Sequence, residues 1–207
     1  MSIERGVTAR SCWLARVGAL SLVCGLLGGC PSRQVRLPSG PDASANVRVA
    51  NAPDVGLAPV RDVRPNEGAG YVGALKLTAG AELKAYLQSS ATRALTRSGY
   101  NVVSTPDPSA AHGEGRSFKG REVVLTVQGL SLWGEGLAPV QAAATFTAQV
   151  YDESATIVYS QMFRGSANDV FGLTAHPDVL AGKIMAGALD QAVANMVADP
   201  RFLAAIR

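Results

Sequence analysis

From Val140 to Val150 every second residue is apolar: Val140, Ala142, Ala144, Phe146, Ala148 and Val150. Successive side chains of a strand point to opposite faces, so only an extended chain puts this set on one side. The residues between them, Gln141, Thr145, Thr147 and Gln149, with Tyr151 beyond, form the opposite, wet face of a half-buried antiparallel strand. Such a strand needs partners. Val123, Leu125 and Val127 share one face of a preceding stretch, and Leu130 and Leu132 continue one step out of phase. Gly129 at the phase change predicts a β-bulge that turns both sets into one core. Gly134-Glu135-Gly136 supplies the first turn, Asp152-Glu153-Ser154 the second, and Thr156 to Arg164 returns as the third strand of a meander.

The buried face of this meander has to be covered, and two helical periods supply the cover. Leu83, Leu87, Ala91, Ala94 and Leu95 form one apolar stripe, with Lys84, Gln88, Arg93 and Arg97 outward. Thr78 is placed to cap this helix and Gly99 to end it in a left-handed residue. A second helix is expected from about Asp178 to Asp199, with Pro177 in its first turn and Met185, Leu189, Ala192, Val193 and Met196 as its stripe. Pro200 stops it, and Phe202, Leu203 and Ile206 tuck a last turn into the core. Leu57–Val63 reads as a short extended stretch and Tyr100–Ser104 as a strand. The expected order is β-α-β-β-β-β-α. The fold class is α+β: a two-layer sandwich in which a mixed, mostly antiparallel sheet carries two helices on one face.

The N-terminus sets the compartment. Arg5, Arg10 and Arg16 precede the uncharged run Val17–Gly29, the pattern of a secretory signal and too short to span a bilayer. Leu27-Gly28-Gly29-Cys30 then resembles the bacterial lipobox, which assigns residues 1–29 to a signal peptide and Cys30 to lipidation. Ser-Leu-Val ahead of Cys24 puts bulk where that motif needs small residues. Cleavage before Cys30 also removes Cys12 and Cys24, so the mature chain has no internal disulfide, thiol nucleophile or cysteine metal site. Three of the nineteen basic residues and one of the sixteen acids go with the signal, leaving a net charge of +1. That balance, with its basic residues dispersed, excludes a nucleic-acid partner. Six of the eleven prolines fall between residues 31 and 65, so 30–55 is expected to be a Pro-rich tether and 56–207 a single periplasmic domain. Within the tether, Val47-Arg48-Val49 alternates and could pair at a sheet edge.

Several segments together resemble a known family. Val60-Arg61-Asp62-Val63-Arg64 leads to a Tyr71-Val72-Gly73 step, and a helix closes with Ala94-Leu95-Thr96-Arg97-Ser98-Gly99-Tyr100-Asn101-Val102. A meander with Ile157-Val158-Tyr159 and a helix ending Ala198-Asp199-Pro200 follow. Over most of residues 45–207 the chain resembles the YajG-type bacterial lipoproteins. The resemblance implies a lipoprotein associated with the outer membrane and brings no catalytic residues; the loop 106–121 departs from it.

The remaining motifs are weaker. Gly68-Ala69-Gly70-Tyr71-Val72-Gly73 fits G-x-G-x-x-G, but no helix start follows and no acid lies near residue 90, so a flexible turn is expected. His112 and His176 are the two histidines and cannot make a metal site without further ligands, so both are expected in solvent. Asp62 with Arg61 and Arg64 could bind an anion, although an exposed ion-pair cluster is the commoner arrangement. Gly182 and Ala186 are small residues expected to let the last helix pack close on the sheet. No nucleophile elbow or triad is present, so neither enzyme activity nor a cofactor nor a metal is expected. The expected function is non-enzymatic binding in the cell envelope: a membrane anchor at Cys30, and Gln141, Thr145, Thr147, Gln149 and Tyr151 as the face for an envelope protein or a second copy. The alternative is an accessory or carrier module for lipid or polysaccharide export, holding an apolar ligand between helices and sheet.

Overall fold

In a computed structural model, the described residues are 32–41, 48–66, 68–72, 75–108, 118–134, 139–170 and 176–207. Five short strands come first: β1 (Ser32–Gln34), β2 (Asp54–Leu57), β3 (Arg61–Asp62), β4 (Gly68–Val72) and β5 (Leu75–Thr78). Helix α1 (Ala81–Arg97), strand β6 (Asn101–Ser104) and the long strands β7 (Arg121–Gly134), β8 (Pro139–Tyr151) and β9 (Ile157–Val170) follow. Helices α2 (Pro177–Ala198) and α3 (Pro200–Ala205) close the chain.

The meander forms as its alternation requires. Val140, Ala142, Ala144, Phe146, Ala148 and Val150 are all at most 1% exposed. Val123, Leu125 and Val127 face Val150, Ala148 and Phe146; the register then shifts, and Leu130 and Leu132 face Ala144 and Ala142. The bulge falls at the expected phase change beside Gly129. α2 covers β8 and β9, and α1 packs beside α2 and against β6. Both expected stripes are buried, as are Phe202, Leu203 and Ile206. Rings of Phe146, Phe163, Phe202 and Tyr159 sit 5.8–6.4 Å apart in sequence, linking β8, β9 and α3. The architecture is the α+β two-layer sandwich expected, with its long ladders antiparallel and its short ones parallel except that between β4 and β5.

The N-terminal third departs from the expected single strand. Residues 55–72 run beside β7 as one interrupted parallel strand: Val55–Leu57 lie opposite Arg121–Val123, Arg61 and Asp62 opposite Thr126 and Val127, and Gly70–Val72 opposite Leu132–Gly134. The breaks contain Pro59 and Pro65, which have no N–H to give a ladder. The glycine-rich motif, expected as a turn, is strand β4 up to Val72; Gly73 lies outside the described residues. Gly70 has φ +135° and passes so close to β7 that a Cβ would lie 1.8 Å from the Leu132 carbonyl. Glycine is needed there for backbone approach, not for phosphate.

The boundary at residue 56 also moves. Ser32–Gln34 pair with Lys76–Thr78, the Val35 N–H donates to the Thr78 carbonyl at 2.8 Å, and Val35 is 1% exposed. Val49 N–H donates to Ser98 O at 2.8 Å, and β2 begins at Asp54. These parts of the presumed tether are held by backbone pairing, which needs no apolar period. Thr78 does not cap α1, because β5 engages it; Gly80 is the N-cap and offers no side chain. Gly99 does end the helix with φ +102°.

Candidate interaction surface

The face expected to bind is only partly open. Gln141 is exposed, while Thr145, Thr147 and Gln149 are half-buried. Tyr151 is not on an open face: it is 6% exposed and packs with Ala58 and Val124. The cover comes from remote sequence. Arg61 Nε donates to Asp107 Oδ2 at 2.6 Å, its Nη2 binds Asp107 Oδ1, and the Arg61 side chain also bonds Tyr151. Hydrogen bonding to Asp107 raises the Arg61 pKa above its ordinary value, so this pair stays charged.

The Asp62 cluster is an internal clamp. Arg64 Nε and Nη2 donate to the two Asp62 oxygens at 2.9 and 2.7 Å, and Nη2 also donates to the Ala79 carbonyl at 2.6 Å. The Arg64 side chain is 4% exposed, so this is no surface pair as expected. Arg64 holds the Asp62 carboxyl below its usual range. The cations face carboxylates of their own chain, which leaves this cluster poorly suited to a free anion. His176 is exposed and precedes α2, where its carbonyl accepts from the Val179 and Leu180 N–H groups. His112 and Cys30 lie outside the described residues. Among the described residues no cluster of three metal-ligating side chains occurs, and no helix is long and apolar enough to cross a membrane.

Between the helices lies a buried polar contact that sequence reasoning missed. Tyr86 Oη donates to Asp190 Oδ2 at 2.8 Å and Ser90 Oγ to Oδ1 at 2.6 Å. Its signal was available: two polar residues within an apolar helical stripe, and an acid within another. The space between helices and sheet is filled by Leu83, Leu87, Leu125, Phe146, Met185 and Leu189, each fully buried. Two open clefts are polar instead. One of about 710 Å³ is lined by Asp54, Lys119, Arg121, Asp152, Glu153 and Arg207, among others. Another of about 840 Å³ includes Arg33, Arg36, Glu82, His176 and Asp178. That lining is not the oversized apolar cavity that a carrier of apolar ligands requires.

The most open feature is β9. Among the described residues it pairs with β8 along one edge and with no strand along the other. Val158, Met162 and Val170, on the face turned from the helices, are 45%, 44% and 62% exposed, and Ile157 is 46% exposed. Asn195 of α2 donates to the Arg164 carbonyl at 2.8 Å. A long edge strand with exposed apolar side chains is a template for pairing with another chain.

No protein-family model matches the sequence, and no curated protein sequence does. In fold the chain is similar to a Xanthomonas campestris protein of family DUF330, at 12% identity and a TM-score of 0.49, over 81% of this chain and 92% of that one. It is similar to a neuraminyllactose-binding hemagglutinin homologue from Helicobacter pylori, at 13% identity and a TM-score of 0.49, over 83% and 95% of the two chains. A minor lipoprotein from Acinetobacter baumannii is similar at 13% identity and a TM-score of 0.39, over 69% and 88%. None of these three carries the YajG name.

Proposed function

We propose that this chain is a bacterial envelope lipoprotein, cleaved before Cys30 and acylated there, whose domain faces the periplasm from the outer membrane and binds another protein without catalysing a reaction. The lipobox spacing and the YajG-type resemblance support the anchor and its membrane. What carries the binding role is the outer edge of β9, fourteen residues long with Val158 and Met162 exposed beside it. An extended segment of a partner would add as a further strand: backbone hydrogen bonds give affinity, and alternate side chains give selectivity. A second copy of this chain is the simplest partner of that form.

The test uses the full chain and Cys30→Ala in a Gram-negative host. The wild type takes up labelled fatty acid and fractionates with outer membrane; if both proteins behave as soluble, the lipoprotein assignment is wrong. A photocrosslinker replacing Ser160 on β9 should trap one partner that Val158→Lys with Met162→Lys abolishes. Equal trapping from Lys84 on the outer side of α1 would refute a discrete β9 site.

A further inference from the structure

Strand register places the start of β1 at one end of the domain. Ser32 pairs with Lys76, Lys76 with Tyr71, Tyr71 with Trp133, Trp133 with Gln141, and Gln141 with Asn168, one row across six strands. Three strand spacings separate Ser32 from Trp133, roughly 14 Å. Direction matters as much as distance. β4 runs parallel to β7, β5 antiparallel to β4, and β1 parallel to β5. β7 therefore runs toward the end where Gly134 lies, while β1 starts from that end. Cys30 is two residues ahead of Ser32 in the sequence, so at most about 7 Å of chain separates the two.

That end has the side chains of a membrane-contacting surface. Trp133 is 48% exposed, Val170 lies two residues beyond the row at Asn168, and Val179 is 51% exposed in the first turn of α2. Arg33 and Arg36 are 55% and 77% exposed, and both stand 3.7 Å from Asp178, which is recessed at 13%. Glu82 shares their cleft and accepts from the Leu37 N–H at 3.4 Å. An indole has an apolar body and a polar N–H suited to the headgroup layer, and arginines are drawn to lipid phosphate. The cleft of Asp54, Asp152 and Glu153 lies near the other end of α2, past a helix of 22 residues, roughly 33 Å long.

We propose that the end carrying Trp133, Arg33, Arg36, Val170 and Val179 rests on the bilayer, with Trp133 among the headgroups and the two arginines on lipid phosphates. This rests on lipidation of Cys30, and it fixes how the domain faces the periplasm: β9 stands across the surface and the Asp54–Asp152 cleft points away.

Trp133 reports on this directly, because Trp13 leaves with the signal and Trp133 is then the single tryptophan. Lipidated full-length protein, purified and reconstituted in phosphatidylethanolamine–phosphatidylglycerol vesicles, should emit at shorter wavelength than Cys30→Ala in solution. Lipids brominated near the headgroup should quench it. Arg33→Glu with Arg36→Glu should reduce the quenching while the protein still floats with the vesicles, each arginine weighing about fivefold at an anionic surface. Flotation with unquenched, unshifted Trp133 overturns the orientation and leaves the anchor standing. A shift without bromine quenching puts protein rather than lipid on this end and overturns it too. Absence of acylation and flotation defeats the lipoprotein assignment itself, and this proposal with it.

Discussion

Gly165 is where β9 lies against the backbone of α2, and its replacement by alanine tests whether that approach sets the core. A Cβ at 165 would sit 2.1 Å from the Ala188 carbonyl oxygen and 2.4 Å from the Ala192 nitrogen. Real Cβ contacts do not fall below 3.0 Å, so helix and strand must separate by about 0.9 Å at the oxygen alone. Both obstacles are helix backbone, which has no rotamer to change. A gap of roughly 0.5–1 Å forfeits a quarter to a half of each dispersion well along the opened seam, and overpacking a tight core typically costs about 1–3 kcal/mol. With Met185, Leu189, Ala192 and Met196 at most 1% exposed on that helix, the cost should fall at the upper end, about 3 kcal/mol.

The assay is urea unfolding of the mature chain carrying Cys30→Ala, followed by circular dichroism. Gly165→Ala should lower the midpoint with little change in slope, because the same surface is exposed on unfolding. Ser166→Ala, one residue along on the exposed face, is the control and should stay within about 0.5 kcal/mol. If the two variants unfold together, β9 and α2 do not meet at Gly165 and the packing described here is wrong.

Further consequences can be checked on the same protein. Tyr86→Phe removes a hydrogen bond to the buried Asp190 carboxylate and should cost about 2 kcal/mol in urea midpoint, with Ser90→Ala non-additive because both donate to one group. Burial pulls the Asp199 pKa up, but the Arg201 N–H at 2.8 Å and the Tyr159 hydroxyl at 2.9 Å outweigh it and hold it below 3.8. A folded pKa below the unfolded one stabilises fully above about pH 4 and is lost as pH falls through the folded value, so Asp199→Asn should flatten the acid limb of stability against pH. Gly99→Ala puts a Cβ at φ +102° and 2.6 Å from the Val49 carbonyl, and should cost about 1 kcal/mol or more in thermal unfolding. Gly182→Ala places a Cβ 1.7 Å from the Arg36 carbonyl; protease should then cut residues 32–38 faster while the core midpoint falls less than in Gly165→Ala.

The parts of this fold that sequence disclosed are those where burial writes a period. The meander and both helical stripes lie against one core, so apolar side chains recur every second or every third to fourth residue. Elements held by backbone alone leave no such mark. β1 is Ser-Arg-Gln, three exposed side chains, and what places it is pairing with Lys76–Thr78. The interaction face shows the same limit from the other side: Tyr151 follows the polar phase of β8 correctly, yet Ala58 and Arg61, distant in the chain, pack on it and hydrogen-bond it. Gly182 was expected to fit the helix to the sheet. Its close neighbour is the Arg36 carbonyl, whereas Gly187 and Ala188 meet β9 at Ala167 and Gly165.

How the first strand is held decides what kind of tether this chain has. If residues 30–55 were a free coil, its ends would lie about 28 Å apart on average, and the domain could present any side to the bilayer. With Cys30 lipidated as proposed, pairing of β1 with β5 leaves two residues of chain between the anchor and Ser32, at most about 7 Å. Over so short a link an α2 of roughly 33 Å cannot turn end for end without its sheet meeting the membrane. Pro38 and Pro41 then stiffen a docked segment instead of spacing a loose one, and the Gly182 approach to Arg36 keeps that segment on the helix. With Cys30 acylated as proposed, weak contacts at Trp133 and the arginines would suffice, because the acyl chains would supply the affinity and the surface would have only to select one orientation among few.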